Sequence, residues 1–162
     1  MTAPRSHRRV AWIAALTLLL AGCGTGGPVR RISEPAASIQ QLTVRADGSW
    51  EVQVRLDNFS SVPMRFTATN IQVAFDNGAA ATVQSQPQIV IGPESADVAT
   101  ATVSPLPEGR ARIATALADG RSLNYTLGGT VDAGPEDGKA RPYKIKLTSA
   151  LTPVPGLPGV LR

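Results

Sequence analysis

A strict alternation of apolar and polar side chains over residues 50–57 is the feature that most limits how this chain can fold. The apolar positions of one parity are Trp50, Val52, Val54 and Leu56. The polar positions between them are Glu51, Gln53, Arg55 and Asp57. Side chains of a strand point alternately to its two faces, so this pattern predicts a β-strand with one buried face.

Shorter runs of the same kind recur along the chain between turn signals. They predict strands at residues 42–44, 66–76, 81–84, 88–91, 96–103, 123–131 and 143–147. Asp47-Gly48 and Asp76-Asn77-Gly78 are typical turn sequences and predict hairpin connections. About seven short antiparallel strands predict an all-β sandwich of immunoglobulin or fibronectin type III type, with a closed barrel as the alternative.

One segment departs from the β pattern and predicts a short inserted helix. Within residues 108–118, Ile113, Ala114 and Leu117 recur at helical spacing, and Asp119-Gly120 supplies a C-terminal stop. We expect the β domain to span residues 38–152, with a polar loop at residues 132–142. Residues 153–162 are rich in Pro and Gly and are predicted to form an extended tail.

Residues 1–22 have the organisation of a signal peptide. Three arginines precede residues 10–21, an uncharged apolar run of 12 residues, whereas a transmembrane helix needs roughly 20. The run ends in Leu20-Ala21-Gly22-Cys23, which resembles the lipobox of bacterial lipoproteins. Cys23 supplies the thiol that accepts a diacylglyceryl group, and we expect cleavage between Gly22 and Cys23. An ordinary secretory signal followed by a stray cysteine is the alternative.

The resemblance to lipoproteins implies that Cys23 becomes the mature N-terminus and carries a thioether-linked diacylglycerol, commonly with a further amide-linked acyl chain such as palmitate. Each buried CH₂ contributes about 0.8 kcal/mol, so two or more chains anchor a protein stably in a lipid bilayer. Gly24 follows Cys23, which in Gram-negative lipoproteins implies the periplasmic face of the outer membrane rather than the inner membrane. Residues 23–37 contain several Gly and Pro residues and are predicted to form a flexible tether.

Charge and composition argue against several classes of function. Without residues 1–22 the chain retains 140 of its 162 residues, with 13 basic and 12 acidic side chains. This balance leaves no excess of positive charge of the kind that binding to nucleic acid requires. The single histidine, His7, lies in the leader, which removes the commonest general base and zinc ligand from the mature chain. We expect no enzymatic activity, no cofactor or metal, and no small-molecule substrate.

Two groups of residues carry weaker chemical hypotheses. A polar group that could form a catalytic pair consists of Asp132, Glu136, Asp137, Lys139 and Lys144, and its three carboxylates could also approach a calcium ion. Its spacing does not match an EF-hand loop, so a solvated loop is favoured. An aromatic group that could stack on sugars consists of Trp50, Phe75, Tyr125 and Tyr143. Each of these lies on the apolar parity of a predicted strand, so core packing is favoured.

The order of motifs along residues 38–152 is distinctive. A strand ending in Leu56-Asp57-Asn58 leads through Phe59-Ser60 and Pro63 to a strand with Ile71-Gln72-Val73-Ala74-Phe75, and later come Ile89-Val90-Ile91-Gly92-Pro93 and the run from Leu123 to Asp132. This order resembles the type 2 late-embryogenesis-abundant family (LEA type 2), also described as the water stress and hypersensitive response (WHy) domain. The family usually has an Asn-Pro-Asn-like turn where this chain has Asp57-Asn58-Phe59-Ser60. Asn58 and Ser60 can still hydrogen-bond their own backbone.

The family resemblance implies an ordered β-sandwich involved in stress tolerance. We expect a non-enzymatic, membrane-tethered domain that protects envelope components during desiccation or other stress. The alternative is an envelope adaptor, in which the sandwich docks on a partner protein through an edge strand. A hydrolase with an unusual site is the third hypothesis.

Overall fold

The computed structural model describes residues 29–76 and 78–162. The predicted signal peptide, Gly22, Cys23 and Asn77 lie outside the described residues. Within them the elements are β1 (Ala36–Val44), β2 (Trp50–Asn58), β3 (Met64–Phe75), β4 (Gly78–Ser85), β5 (Ile89–Ile91), β6 (Ser95–Val103), α1 (Pro107–Asp119), β7 (Leu123–Pro135), β8 (Arg141–Leu151) and β9 (Val160–Leu161).

The strands form two antiparallel sheets that enclose one core. One sheet has the strand order β6-β2-β1-β9, and the other has the order β4-β3-β7-β8. The short strand β5 pairs with the beginning of β3, and β4 pairs with the later part of β3. The predicted all-β sandwich with one short helix is confirmed.

The core consists of the side chains on the inward-facing side of each strand. In β2 the four predicted apolar residues are all buried, which confirms the alternation as a one-sided strand. The rings of Trp50 and Phe75, from opposite sheets, lie 6.0 Å apart in a tilted arrangement. Tyr125 and Tyr143 are buried too, so the predicted core role of the aromatic group is confirmed. Burial of each large apolar side chain contributes about 1.5–3 kcal/mol.

A β-bulge in β1 is tied to the opposite sheet. The pairing of β1 with β2 shifts register between Ile39 and Gln41, and an extra residue in a bulge is left outside the regular ladder. The hydroxyl oxygen of Tyr125 in β7 accepts a hydrogen bond from the backbone N–H of Ile39 at 3.2 Å. Tyr125 therefore buries its ring in the core, while its hydroxyl oxygen satisfies a buried backbone N–H group.

The helix lies where the sequence predicts it, with one residue more at each end than the predicted 108–118, and its predicted stop at Gly120 is confirmed. Pro107 opens it, where a fixed φ and a missing N–H cost nothing. Gly120 ends it in the left-handed region with φ 63°. The backbone N–H of Leu106 donates to Ala80 O at 2.8 Å, which fixes the start of the helix to β4.

Because neighbouring strands are antiparallel, the connections gather at two ends of the sandwich. The near end consists of residues 29–35, 59–63, 92–94 and 136–140, which are joined by backbone hydrogen bonds. The far end consists of residues 45–49, helix α1 and residues 152–159. There the backbone N–H of Val44 donates to Gly159 O at 2.8 Å.

The polar loop is shorter than predicted. Strand β7 continues to Pro135 and β8 begins at Arg141, so the loop is confined to residues 136–140. The extension has a physical cause, since Ala133 is buried and pairs with Phe66 of β3.

The two predicted boundaries of the domain also differ from the structure. Strand β1 begins at Ala36, and Ala37 is buried, so the expected tether at residues 23–37 overlaps the first strand. Residues 153–162 fold back on the domain instead of forming a simple extended tail. Their strand β9 pairs with β1, and Leu161 is fully buried. A two-residue strand gives no periodicity for the sequence to reveal.

Gly129 lies where β7 approaches β3 most closely. Its φ is +146°, and a Cβ atom on it would lie 2.1 Å from the backbone oxygen of Asn70. Gly128, directly before it, has open space where its Cβ would be. The pair therefore provides adjacent glycines in very different environments.

We expect Gly129→Ala to lower the free energy of unfolding by about 2 kcal/mol or more, because the methyl group must displace β3 and occupy a disfavoured φ. Gly128→Ala is the matched control and should change it by less than about 1 kcal/mol. Urea unfolding of both variants and the wild type measures the difference. Equal losses for the two variants would contradict the close approach at Gly129.

Candidate functional site

Residues 29–35, here called the strap, are hydrogen-bonded to the other segments of the near end. The backbone N–H of Ser61 donates to Arg31 O at 3.0 Å, and the N–H of Arg31 donates to the Ser61 hydroxyl oxygen at 2.9 Å. The N–H of Ser33 donates to the hydroxyl oxygen of Ser60 at 3.0 Å. The chain that follows the predicted lipid site is thus attached to the domain before the first strand begins.

Two arginines of the strap form ion pairs with the near-end loops. Arg30 Nη1 lies 2.9 Å from Asp137 Oδ2, and Arg31 Nη2 lies 2.8 Å from Glu94 Oε1. The hydrogen bond and charge of Arg30 hold the pKa of the Asp137 carboxyl below its ordinary range. Asp137 therefore stays ionised at neutral pH. All four side chains are exposed, so these pairs orient the strap and add little to stability.

Buried Asn58 organises the backbone behind the strap. Its side-chain nitrogen lies 2.9, 3.0 and 2.8 Å from Val62 O, Ile91 O and Gly92 O, so its two N–H groups serve three carbonyl oxygens and one N–H is shared. Its oxygen accepts the backbone N–H of Ser60 at 2.9 Å. Asn58 is 1% exposed and Ser60 is fully buried. The predicted bond from Asn58 to its own turn is confirmed, and the same amide also joins the turn after β5.

The structure distributes the predicted polar group over several contacts. Asp137 pairs with Arg30, and Glu136 pairs with Arg65 of β3. Lys139 and Lys144 have no carboxylate within 4.0 Å among the described residues. Among those residues no set of three potential metal ligands comes together. No helix in the described ranges is both long and apolar enough to cross a membrane.

The outer surface of the larger sheet carries a set of uncharged polar side chains, here called the polar face. These are the exposed residues Asn70, Gln72, Thr82 and Gln84. They are paired across β3 and β4, with Gln72 opposite Thr82 and Asn70 opposite Gln84. Every one of these amide or hydroxyl groups both donates and accepts hydrogen bonds.

A groove separates the edges of the two sheets where β1 faces β8. It has a volume of about 480 Å³, and its lining includes Ala37, Ile145, Lys144 and Lys146. In the described part of the chain β8 pairs with β7 alone, which leaves its other edge open. Lysines beside an open edge oppose its pairing with another copy of the same edge, because like charges repel.

Comparisons with known proteins give only remote similarities. No protein-family model and no curated protein matches the sequence. A protein from Archaeoglobus fulgidus is 14% identical over 76% of this chain and 98% of its own, with a TM-score of 0.43. The Northeast Structural Genomics Consortium target SoR45 is 14% identical over 78% of this chain and 92% of its own, with a TM-score of 0.46. The function of this chain is therefore inferred from its own residues.

Sequence reasoning missed the strap and its partners. Gly and Pro before residue 38 indicated a tether, and the motif at Ser60-Ser61 indicated only a turn. The bonds between Arg31 and Ser61 join residues 30 positions apart, and no local periodicity marks such a pair. The polar face was also missed, since its residues were seen only as the solvent side of predicted strands.

We expect Asn58→Ala to destabilise the protein by about 3 kcal/mol, because it leaves three carbonyl groups and the Ser60 N–H without their partner. Asn124→Ala, at an exposed position of β7, is the control and should cost less than about 0.5 kcal/mol. Thermal or urea unfolding measures both. A small effect of Asn58→Ala would show that the near end does not depend on this amide.

Proposed function

We propose that this chain is an envelope lipoprotein whose LEA type 2-like sandwich protects nearby proteins and lipid when water is withdrawn. In this proposal the precursor is cut between Gly22 and Cys23. Acyl chains on Cys23 hold the protein in the outer membrane, with the domain on the periplasmic side. The lipobox-like sequence supports the anchor, and the order of strand motifs supports the stress role.

The observation that carries the protective role is the polar face. Loss of water leaves the polar groups of a protein or a lipid headgroup without hydrogen-bond partners, and an unmade bond is costly. The side chains of Gln72 and Gln84 supply donors and acceptors on a sheet that is already ordered. Because the backbone of the sheet is already ordered, contact costs only the rotamer entropy of the side chains that become fixed. The face can therefore substitute for water without any chemical reaction.

A surface of this kind fits many clients weakly rather than one client tightly. Its four residues are uncharged, so the hydrogen bonds they make are not restricted to charged partners. Anchoring at a membrane raises the local concentration of the domain near its clients, which compensates for weak contacts. We therefore expect broad protection of envelope components and no stoichiometric partner.

We expect the double variant Gln72→Ala/Gln84→Ala to lose most of the protection that the wild-type protein gives a labile enzyme through drying and rehydration. The double substitution removes two side-chain amides from the polar face and leaves the buried residues of β3 and β4 unchanged. Residual activity of the enzyme after rehydration is the measurement. Circular dichroism and thermal unfolding establish that the variant is folded.

The control for that experiment is Arg110→Ala/Lys139→Ala, which removes two exposed side chains elsewhere and should protect like the wild type. In cells, deletion of the gene should lower survival of drying, and mass spectrometry should find acylated Cys23 at the N-terminus. Unchanged survival together with no protection in vitro would reject the stress role. An unmodified thiol, or a chain beginning at Met1, would reject the anchor.

The second candidate function is an envelope adaptor, and the open edge of β8 favours it. Lys144 and Lys146 point outward beside this edge and have no carboxylate partner among the described residues. An extended acidic segment of a partner could add to the edge by backbone hydrogen bonds and pair with the lysines.

Crosslinking in intact cells separates the two candidates. A photoreactive residue in place of Lys146 should give one dominant product in stoichiometric amount if the chain is an adaptor. A matched probe in place of Gln84, on the polar face, should then give no such product. Weak products of many sizes from both positions would instead support the protective role and argue against the adaptor.

A further inference from the structure

The strap limits how the domain can stand on a membrane. Residues 24–28 are the whole connection between Cys23 and Val29. A fully extended chain advances at most about 3.3–3.6 Å per residue, so Val29 lies within about 20 Å of the lipid-bearing residue. Strand β7 alone has 13 residues and spans about 40 Å. The near end must therefore lie close to the bilayer if Cys23 is acylated.

Two exposed apolar side chains lie at this end of the sandwich. Val29 is 85% exposed and Phe59 is 51% exposed. The backbone oxygen of each is held by a side chain of the near end: the Ser61 hydroxyl donates to Val29 O at 3.0 Å, and Arg31 Nη2 donates to Phe59 O at 3.2 Å. Buried Asn58 and Ser60 on either side of Phe59 fix the turn that presents its ring. Val29 and Phe59 are here called the apolar pair.

The charges around the apolar pair are matched. Arg30, Arg31 and Arg65 lie against Asp137, Glu94 and Glu136, respectively. Because these charges are paired, the near end neither repels an anionic membrane nor attracts it specifically. The favourable contribution must then come from transfer of apolar surface out of water, which scales with the buried area.

We propose that the apolar pair inserts into the interfacial region of the bilayer and holds the sandwich upright, with its near end on the membrane and α1 at the distal end. This inference rests on the acylation of Cys23 proposed above. The pair supplies a second membrane contact beside the acyl chains. It converts a flexible attachment into a defined orientation, in which the polar face stands roughly perpendicular to the membrane.

The test uses the acylated protein reconstituted in vesicles of phosphatidylethanolamine and phosphatidylglycerol that contain brominated phosphatidylcholine. Trp50 is the single tryptophan once residues 1–22 are removed, and it is 1% exposed, so it gives a constant background. Phe59→Trp reports the near end. Leu157→Trp is the matched control, because Leu157 is 47% exposed at the far end.

We expect the tryptophan introduced by Phe59→Trp to be quenched at least about threefold more than the one introduced by Leu157→Trp, because an inserted side chain lies about 5–10 Å within the headgroup and acyl boundary. Val29→Trp repeats the measurement at a second position that no packing constrains. Exchange of phosphatidylglycerol for phosphatidylcholine should leave the quenching unchanged, and its loss would overturn insertion by apolar contact.

Mass spectrometry of the same samples separates the two proposals. If the protein is acylated and neither Phe59→Trp nor Val29→Trp is quenched more than Leu157→Trp, the upright orientation is overturned and the lipoprotein proposal stays intact. Protein without acyl chains overturns the anchor itself.

Discussion

Burial of alternate side chains between two sheets is the constraint on which the rest of this structure depends. The chain has a single cysteine and cannot close a disulfide within itself, so the apolar side chains on the inner faces of the strands must supply the stability. Trp50 and Phe75 meet across the core, and Tyr125 bridges to the bulge in β1. These contacts fix which face of each strand is outside, and hence where the polar face lies.

The sequence predicted the strands well because each has a local signature. Trp50 and its alternating neighbours, the Asp47-Gly48 turn, and Pro107 with Gly120 all act over a few residues, and the structure has the corresponding elements. The features that the sequence did not predict depend instead on pairing between distant residues. Leu161 is buried because it pairs with β1 about 120 positions earlier, and Ala133 extends β7 because Phe66 lies opposite. Long-range pairing leaves no local pattern.

The candidate sites divide in the same way. Cys23 is a prediction from a local motif, whereas Arg31, Ser60 and Ser61 acquire their role only when the strap meets the near end. Asn58 is intermediate, since its turn was predicted and its bonds to Ile91 and Gly92 were not. The near end is thus a site assembled from distant segments, with one buried amide as its centre.

The position of β9 has a consequence for how the chain folds as it is synthesised. This strand contains residues 160–161, yet it pairs with Leu42 and Thr43 of the first strand. About 120 positions therefore separate the two partners, and closing so large a loop slows folding. The β1 sheet can be completed only after residues 160–161 have emerged, so the edge of β1 at Leu42 and Thr43 stays open during that interval.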